Sequence, residues 1–177
     1  MLYTELDSPL GRLLLTGRPA AGAPGGTALV SLSVPGQKNG LLAQPDWHRD
    51  PAAFAEAERQ LTAYFAGESK DFTLTLAPQG TEFRQRVWAA LDTVPYGATT
   101  SYGEIAARIG ASRAAVRAVG GAIGANPLLI VRPCHRVIGA DGSLTGYAGG
   151  LERKVELLTL EGAVRPPALT ARPERRI

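Results

Sequence analysis

The spacing of apolar and polar positions changes character near the middle of the chain. From Leu2 to Leu15 hydrophobic residues alternate around Ser8-Pro9-Leu10-Gly11, which predicts a β-hairpin turning at the proline and glycine. A glycine- and proline-rich loop follows, Ala28 to Val34 reads as another strand, and residues 35 to 50 read as a loop. Over Ala52 to Phe65 the period becomes helical, with Phe54, Leu61, Tyr64 and Phe65 toward a core and Gly67 ending the helix. Phe72-Thr73-Leu74-Thr75-Leu76 alternates as a strand, and Pro78-Gln79-Gly80 punctuates the chain as a linker.

Beyond Gly80 the period is helical. Thr81 caps a helix through Leu91 that carries Phe83, Val87, Trp88 and Leu91 at helical spacing, and Pro95-Tyr96-Gly97 breaks it. Ser101 caps a short helix through Ile109, Gly110 ends it, and Ser112 caps another running to about Gly124. Two short capped helices joined by a glycine-containing turn predict a helix-turn-helix. Asn126-Pro127 stops the second of them, Leu128 to Val131 reads as a short apolar strand leading into Pro133-Cys134-His135, and Leu151 to Leu160 as a last amphipathic helix. Arg165 to Ile177, with three prolines and four arginines, has little to bury and reads as a flexible basic tail. The expected organisation is an N-terminal α/β structural domain over 1–80, a mainly helical domain over 81–164 and the tail over 165–177.

Composition narrows the class. With 45% hydrophobic and 20% charged residues and a mean hydropathy of −0.02, the 177-residue chain has the profile of a globular protein, neither disordered nor membrane-embedded. No apolar run approaches the ~20 residues of a spanning helix. Met1 to Gly11, with Glu5 and Asp7, does not read as a secretory signal, so the expected location is the cytoplasm. The net charge of +3 hides an asymmetry: residues 1–80 hold 6 basic and 8 acidic side chains, residues 81–177 hold 13 and 8. Between Glu104 and Asp141 there is no acid, yet Arg108, Arg113, Arg117, Arg132 and Arg136 lie there, so this region should attract a polyanion.

Within that region, Val116, Val119 and Ile123 share one face of the second short helix, while Arg113, Arg117, Gly120, Gly121 and Gly124 occupy much of the other. A major-groove reader carries Asn, Gln, Arg or Lys along such a face, and here only the arginines qualify. The smooth surface fits either close helix packing or a minor groove about 6 Å wide, and the arginines tilt it toward DNA.

Cys134, the only cysteine, excludes an internal disulfide, and with His48 and His135 the only histidines a four-ligand zinc site is not expected. Cys134-His135-Arg136 joins a soft nucleophile, a potential general base and a cation. The thiolate is the reactive form, and a nearby imidazole or guanidinium favours it. In an extended strand neighbouring side chains point to opposite faces, so His135 needs a bend or a bridging water to reach the sulfur. Glu161 is the candidate to orient the imidazole.

An ordered series of segments resembles the O6-alkylguanine-DNA alkyltransferase family: Gly80-Thr81-Glu82-Phe83 with Val87-Trp88, Pro95-Tyr96-Gly97, Ser101-Tyr102, Arg117-Ala118-Val119-Gly120, Asn126-Pro127, Pro133 to Gly139, Gly146 to Gly150 and Leu157 to Gly162. The resemblance covers roughly residues 81 to 162; the N-terminal half matches mainly at Asp7 to Gly11. It implies a ribonuclease H-like α/β domain followed by a helical, winged-helix-like domain carrying the helix-turn-helix. It implies single-turnover repair in which Cys134 accepts the alkyl group, His135 deprotonates it through a water, Glu161 orients His135, Asn126 braces the active-site segment and Tyr102 assists the departing guanine. Arg117 would fill the space of the flipped nucleotide, with Ala115, Ala118, Gly121, Gly124, Tyr102 and Arg136 also facing DNA. Ile123, Leu129, Val137, Tyr147, Ala148 and Gly149 would wall the base pocket. The implied partner is double-stranded DNA bearing alkylated guanine, bound through the minor groove by a monomer without membrane, metal or cofactor, and the resemblance leaves open whether O4-alkylthymine is also a substrate.

Three positions depart from the family pattern: Arg132 replaces an apolar residue, Leu129 a frequent second proline, and Ala148 a frequent serine. Arg132, two residues from Cys134, either depresses its pKa or points outward to an acid or phosphate. The principal competing class is an alkyltransferase-like binding module, which lacks the cysteine. A transcription regulator is disfavoured by the bare recognition face, and a cysteine hydrolase by the want of an identifiable oxyanion hole.

Overall fold

The computed structural model of the protein describes residues 1–164, so the tail expected over Arg165 to Ile177 lies outside the described residues. Strands β1 (Leu2–Ser8) and β2 (Gly11–Pro19) form the predicted hairpin, in register from Leu2 opposite Gly17 to Ser8 opposite Gly11. Only Pro9 and Leu10 make the turn; Gly11 takes φ 101°, which a side chain would resist, and the Ser8 hydroxyl donates to its carbonyl at 2.6 Å. Strand β3 (Thr27–Ser33) pairs antiparallel with β2. The run Leu13-Leu14-Leu15-Thr16-Gly17 is buried throughout, as expected of a central strand covered on both faces. Gly17 belongs there because a Cβ would stand 2.7 Å from the Ala28 carbonyl.

A fourth strand, β4 (His48–Arg49), pairs parallel with β1 inside the stretch read as loop; two residues are too few to show a period. Helix α1 (Ala55–Phe65) is preceded by a 3₁₀ turn over Pro51–Phe54, where the Asp50 carboxylate accepts from the Ala53 amide. The predicted strand over Phe72 to Leu76 does not form. Its alternation is present, but it makes one bridge, Leu29 to Leu76, because Gln60 from α1 takes over the hydrogen bonding of Thr73 from both directions.

Helix α2 (Glu82–Leu91) is capped by the Thr81 hydroxyl as predicted. Strand β5 (Thr100–Ser101) leads into α3 (Tyr102–Arg108), where Ser101 and Glu104 form a reciprocal capping box. Ser112 does not cap the next helix through its side chain. A 3₁₀ turn over Arg113–Ala115 intervenes, and α4 spans Val116–Gly124. The strand predicted over Leu128 to Val131 is also corrected: apart from one bridge to Leu32 the segment turns, with Ile130 at φ 71°, a conformation costing on the order of 1–3 kcal/mol for a β-branched residue. Cys134–Arg136 is a 3₁₀ turn, so the extended geometry that separated Cys134 from His135 is replaced by a bend. Strand β6 (Val137–Ile138) then pairs parallel with β5, and α5 (Leu151–Leu160) closes the described chain.

The result is a mixed α/β protein in which one apolar cluster runs from Leu13, Leu29 and Phe54 through Trp88 and Ile105 to Val119 and Leu157. Backbone hydrogen bonds from Leu32 to Pro127 and from Leu129 to Leu32 stitch the sheet to the segment that carries the cysteine. Among the described residues, no helix is long and apolar enough to cross a membrane.

Candidate active site

Cys134 lies 5% exposed at the wall of a cavity of about 510 Å³, within the range of roughly 300–1,000 Å³ typical of small-molecule sites. Several elements meet there. The β5–β6 pairing sets Tyr102, the first residue of α3, beside the turn that bears the cysteine. Helix α4 contributes Gly120, Gly121, Ile123 and Gly124, and the loop before α5 contributes Gly146, Tyr147 and Ala148. Asn126, fully buried, donates its amide to the carbonyls of Leu128 and Arg132 and accepts from the Leu128 amide, which fixes the irregular segment ahead of Cys134.

Behind the sulfur is a buried charge cluster. His135 Nε2 lies 2.8 Å from Glu161 Oε2, both side chains fully enclosed. Arg136 donates from Nε to Oε1 at 2.7 Å and from Nη2 to Oε2 at 3.1 Å, and the Tyr64 hydroxyl donates to Oε2 at 2.6 Å. Burial alone would push the Glu161 pKa up; the donors from His135, Arg136 and Tyr64 outweigh it and hold the carboxyl at about 2. Burial pulls the His135 pKa down, against the pull of Glu161 in the other direction, so the ring is neutral. With an ionised acceptor at Nε2, the proton sits on that nitrogen and Nδ1 keeps its lone pair free. Among the described residues Nδ1 has no hydrogen-bond partner, and neither does the buried hydroxyl of Tyr147.

The thiol itself is pushed up to about 11 by burial, only partly opposed by the Asn126 amide and the charges of Lys154 and Arg132. It is therefore protonated at neutral pH and reacts only if a base takes its proton. Lys154, 1% exposed, is held by carbonyls alone: Val137 at 2.6 Å, Thr145 at 2.8 Å and Gly146 at 3.3 Å. Burial brings its pKa down to about 8, and the cysteine is the charge that opposes this.

Not every expected residue stands where the sequence placed it. Ile123, Tyr147 and Ala148 line the cavity; Leu129 and Val137 are fully buried and do not, and the Val137 carbonyl already accepts from Lys154. Gly149 sits beneath Tyr147, where a Cβ would be 2.8 Å from the ring. Arg136, expected at the DNA face, is buried on Glu161 and the Val94 carbonyl, so its charge serves the cluster behind the cysteine. Arg132 pairs with an acid as one reading held, but it is buried, bidentate to Asp92 at 3.0 Å and near the Trp88 ring. Arg117, Ala118, Gly121 and Gly124 are exposed along α4 and Ala115 is half-buried. Among the described residues a Cβ built on Gly121 or Gly124 meets nothing, so packing against them does not require either glycine.

Two buried residues behind the cysteine were missed. Tyr64 read only as a core aromatic, and nothing local in the sequence points from α1 to Glu161. Lys154 did carry a signal: it stands three and four residues before Leu157 and Leu158, on the apolar face of α5.

A buried lone cysteine at the wall of a ligand-sized cavity, beside a helix with a smooth outer face that begins in arginine, defines the class: a protein with a cysteine in its ligand site. The family described as "6-O-methylguanine DNA methyltransferase, DNA binding domain" matches residues 82–163. The methylated-DNA–protein-cysteine methyltransferase of Mycolicibacterium paratuberculosis is 52% identical over 168 residues, covering 95% of this chain and 96% of that one. Its namesake in Methanosarcina acetivorans is 51% identical, covering 92% and 99%. The crystal structure of Mycobacterium tuberculosis OGT in complex with DNA superposes with a TM-score of 0.82 at 50% identity, covering 92% of this chain and 94% of that one. The chain belongs to the methylated-DNA–protein-cysteine methyltransferase family.

Proposed function

We propose that the protein repairs DNA by moving the alkyl group of an O6-alkylguanine onto Cys134, once per molecule. The observation that carries this is the neutral His135, with Nδ1 free and Nε2 fixed on ionised Glu161, next to a thiol that burial keeps protonated. His135 takes the thiol proton through a water. The sulfur then attacks the alkyl carbon and the carbon–O6 bond breaks while Tyr102 donates a hydrogen bond to the departing guanine, and the proton held by His135 passes through water to the guanine. Asn126 and Lys154 stabilise the thiolate as it forms. The product is a thioether that water does not cleave, so no turnover follows.

The base must leave the duplex to reach the cavity, at a cost of a few kcal/mol. Helices α3 and α4 act as a helix-turn-helix, and α4 enters the minor groove with its glycine face, since two of those glycines answer to no internal neighbour. Arg117, exposed on that face, fills the vacated space. Residues 1–80 form a ribonuclease H-like support and residues 81–164 the DNA-binding, alkyl-accepting unit, and the protein acts as a monomer.

Intact-mass measurement after incubation with a duplex containing one O6-methylguanine tests this. Wild type gains one methyl, located on Cys134 by peptide mapping; Cys134→Ala binds the duplex and gains none. A wild-type protein that binds without gaining mass is a binding module, and the transferase reading fails.

A further inference from the structure

The cations of the outer face of α4 are confined to its beginning. After Arg117 the helix runs Ala118-Val119-Gly120-Gly121-Ala122-Ile123-Gly124 with no charge, and the next arginine, Arg132, is buried on Asp92. Yet the cavity has cations at its Gly124 side, and they come from elsewhere. Lys38, on the loop after β3, and Arg84, in the first turn of α2, line the active-site cavity together with Gly124, and line a neighbouring cavity with Gly124 as well. Both are exposed, and neither side chain makes a hydrogen bond or ion pair among the described residues. Among the described residues no Asp or Glu lines either cavity.

Their backbones are held. The Lys38 amide donates to the carbonyl of Ala148, a cavity-lining residue, at 3.1 Å, and the Arg84 amide donates to the Thr81 cap at 3.2 Å. Gln37 braces the loop, its side chain accepting from the Val34 amide, and Asn39 turns it at φ 57°, a conformation asparagine tolerates. Two unpaired cations on fixed bases, at the rim of an acid-free cavity, fit an anion that arrives with the ligand.

We infer that Lys38 and Arg84 bind the phosphodiester backbone at the Gly124 end of α4, opposite the Arg113 and Arg117 end, so that the DNA footprint crosses onto the N-terminal half. The inference rests on the DNA-repair reading. A grip on both sides of the flipped nucleotide holds its flanking phosphates while the base is out of the stack, which phosphate contacts can do for any sequence.

The test uses the full chain with Lys38→Gln, Arg84→Gln and the double variant, measuring affinity for a duplex with one O6-methylguanine across a salt series. Each lost phosphate contact reduces the slope of log affinity against log salt by about 0.9, so the double variant loses about 1.8. Lys38→Arg retains the wild-type slope. Methyl transfer from the duplex falls several-fold more than transfer from free O6-methylguanine, which carries no phosphate. A wild-type slope in the double variant overturns the inference, as does equal loss on duplex and free base. Failure of the underlying reading looks different: wild type then gains no methyl, whatever the slopes.

Discussion

Glu161 collects donors from Tyr64, His135 and Arg136 on two carboxylate oxygens. Replacing Tyr64 by Phe removes a hydrogen bond to a charged acceptor in a closed site, and the expected loss is about 1.5–3 kcal/mol of unfolding free energy, read by urea denaturation, with slower single-turnover methylation. Unchanged stability and rate would show the contact to be idle. The same cluster sets an acid limit. His135 is neutral in the fold, so stability falls as pH drops below its unfolded value of about 6.5. Glu161, depressed to about 2, stabilises the fold above its unfolded value of about 4.3 and ceases to do so as pH falls toward 2. Denaturation midpoints measured from pH 7 to pH 2 should therefore decline in two stages, and Glu161→Gln should flatten the lower one. Cys134, His135 and Arg136 were legible as a group because they are neighbours in sequence. Arg136 was misplaced because its sequence shows a charge but not the buried acid that neutralises it, and Tyr64 was invisible because its partner is 97 positions away.

Elements were legible where a period or a cap announces them: the hairpin, α2, α3 and α5 all follow from alternation, spacing or capping residues. They were illegible where tertiary bonds replace local ones. Phe72 to Leu76 has the alternation of a strand, but Gln60 supplies the hydrogen bonds of Thr73. Leu128 to Val131 has the composition of a strand, but the chain must turn at Ile130 to present the cysteine. Helix α4 offers a prediction in which stability and binding move oppositely. Gly121 has open space where a Cβ would stand, so Gly121→Ala should raise unfolding free energy by about 0.5–1 kcal/mol through helix propensity. Gly121→Leu should instead weaken duplex binding by obstructing the approach of the groove, as measured by fluorescence anisotropy. Binding undiminished by leucine would exclude this face as the contact surface.

Across the whole molecule the two halves share one apolar cluster, a backbone seam at Leu32 and the Tyr64–Glu161 bond. Arg153 of α5 adds a hydrogen bond to the Leu10 carbonyl in the first hairpin. The expected result is a single cooperative unfolding transition, with near-ultraviolet circular dichroism and tryptophan emission changing together; two separated transitions would show the halves to be independent. The same wiring orders events during synthesis. Cys134 leaves the ribosome before α5, which brings Lys154 and leads into Glu161. A nascent chain thus exposes its sulfur before the residues proposed to arm it, and on that proposal a reagent that can be spent only once is not ready to be spent until α5 has emerged and docked.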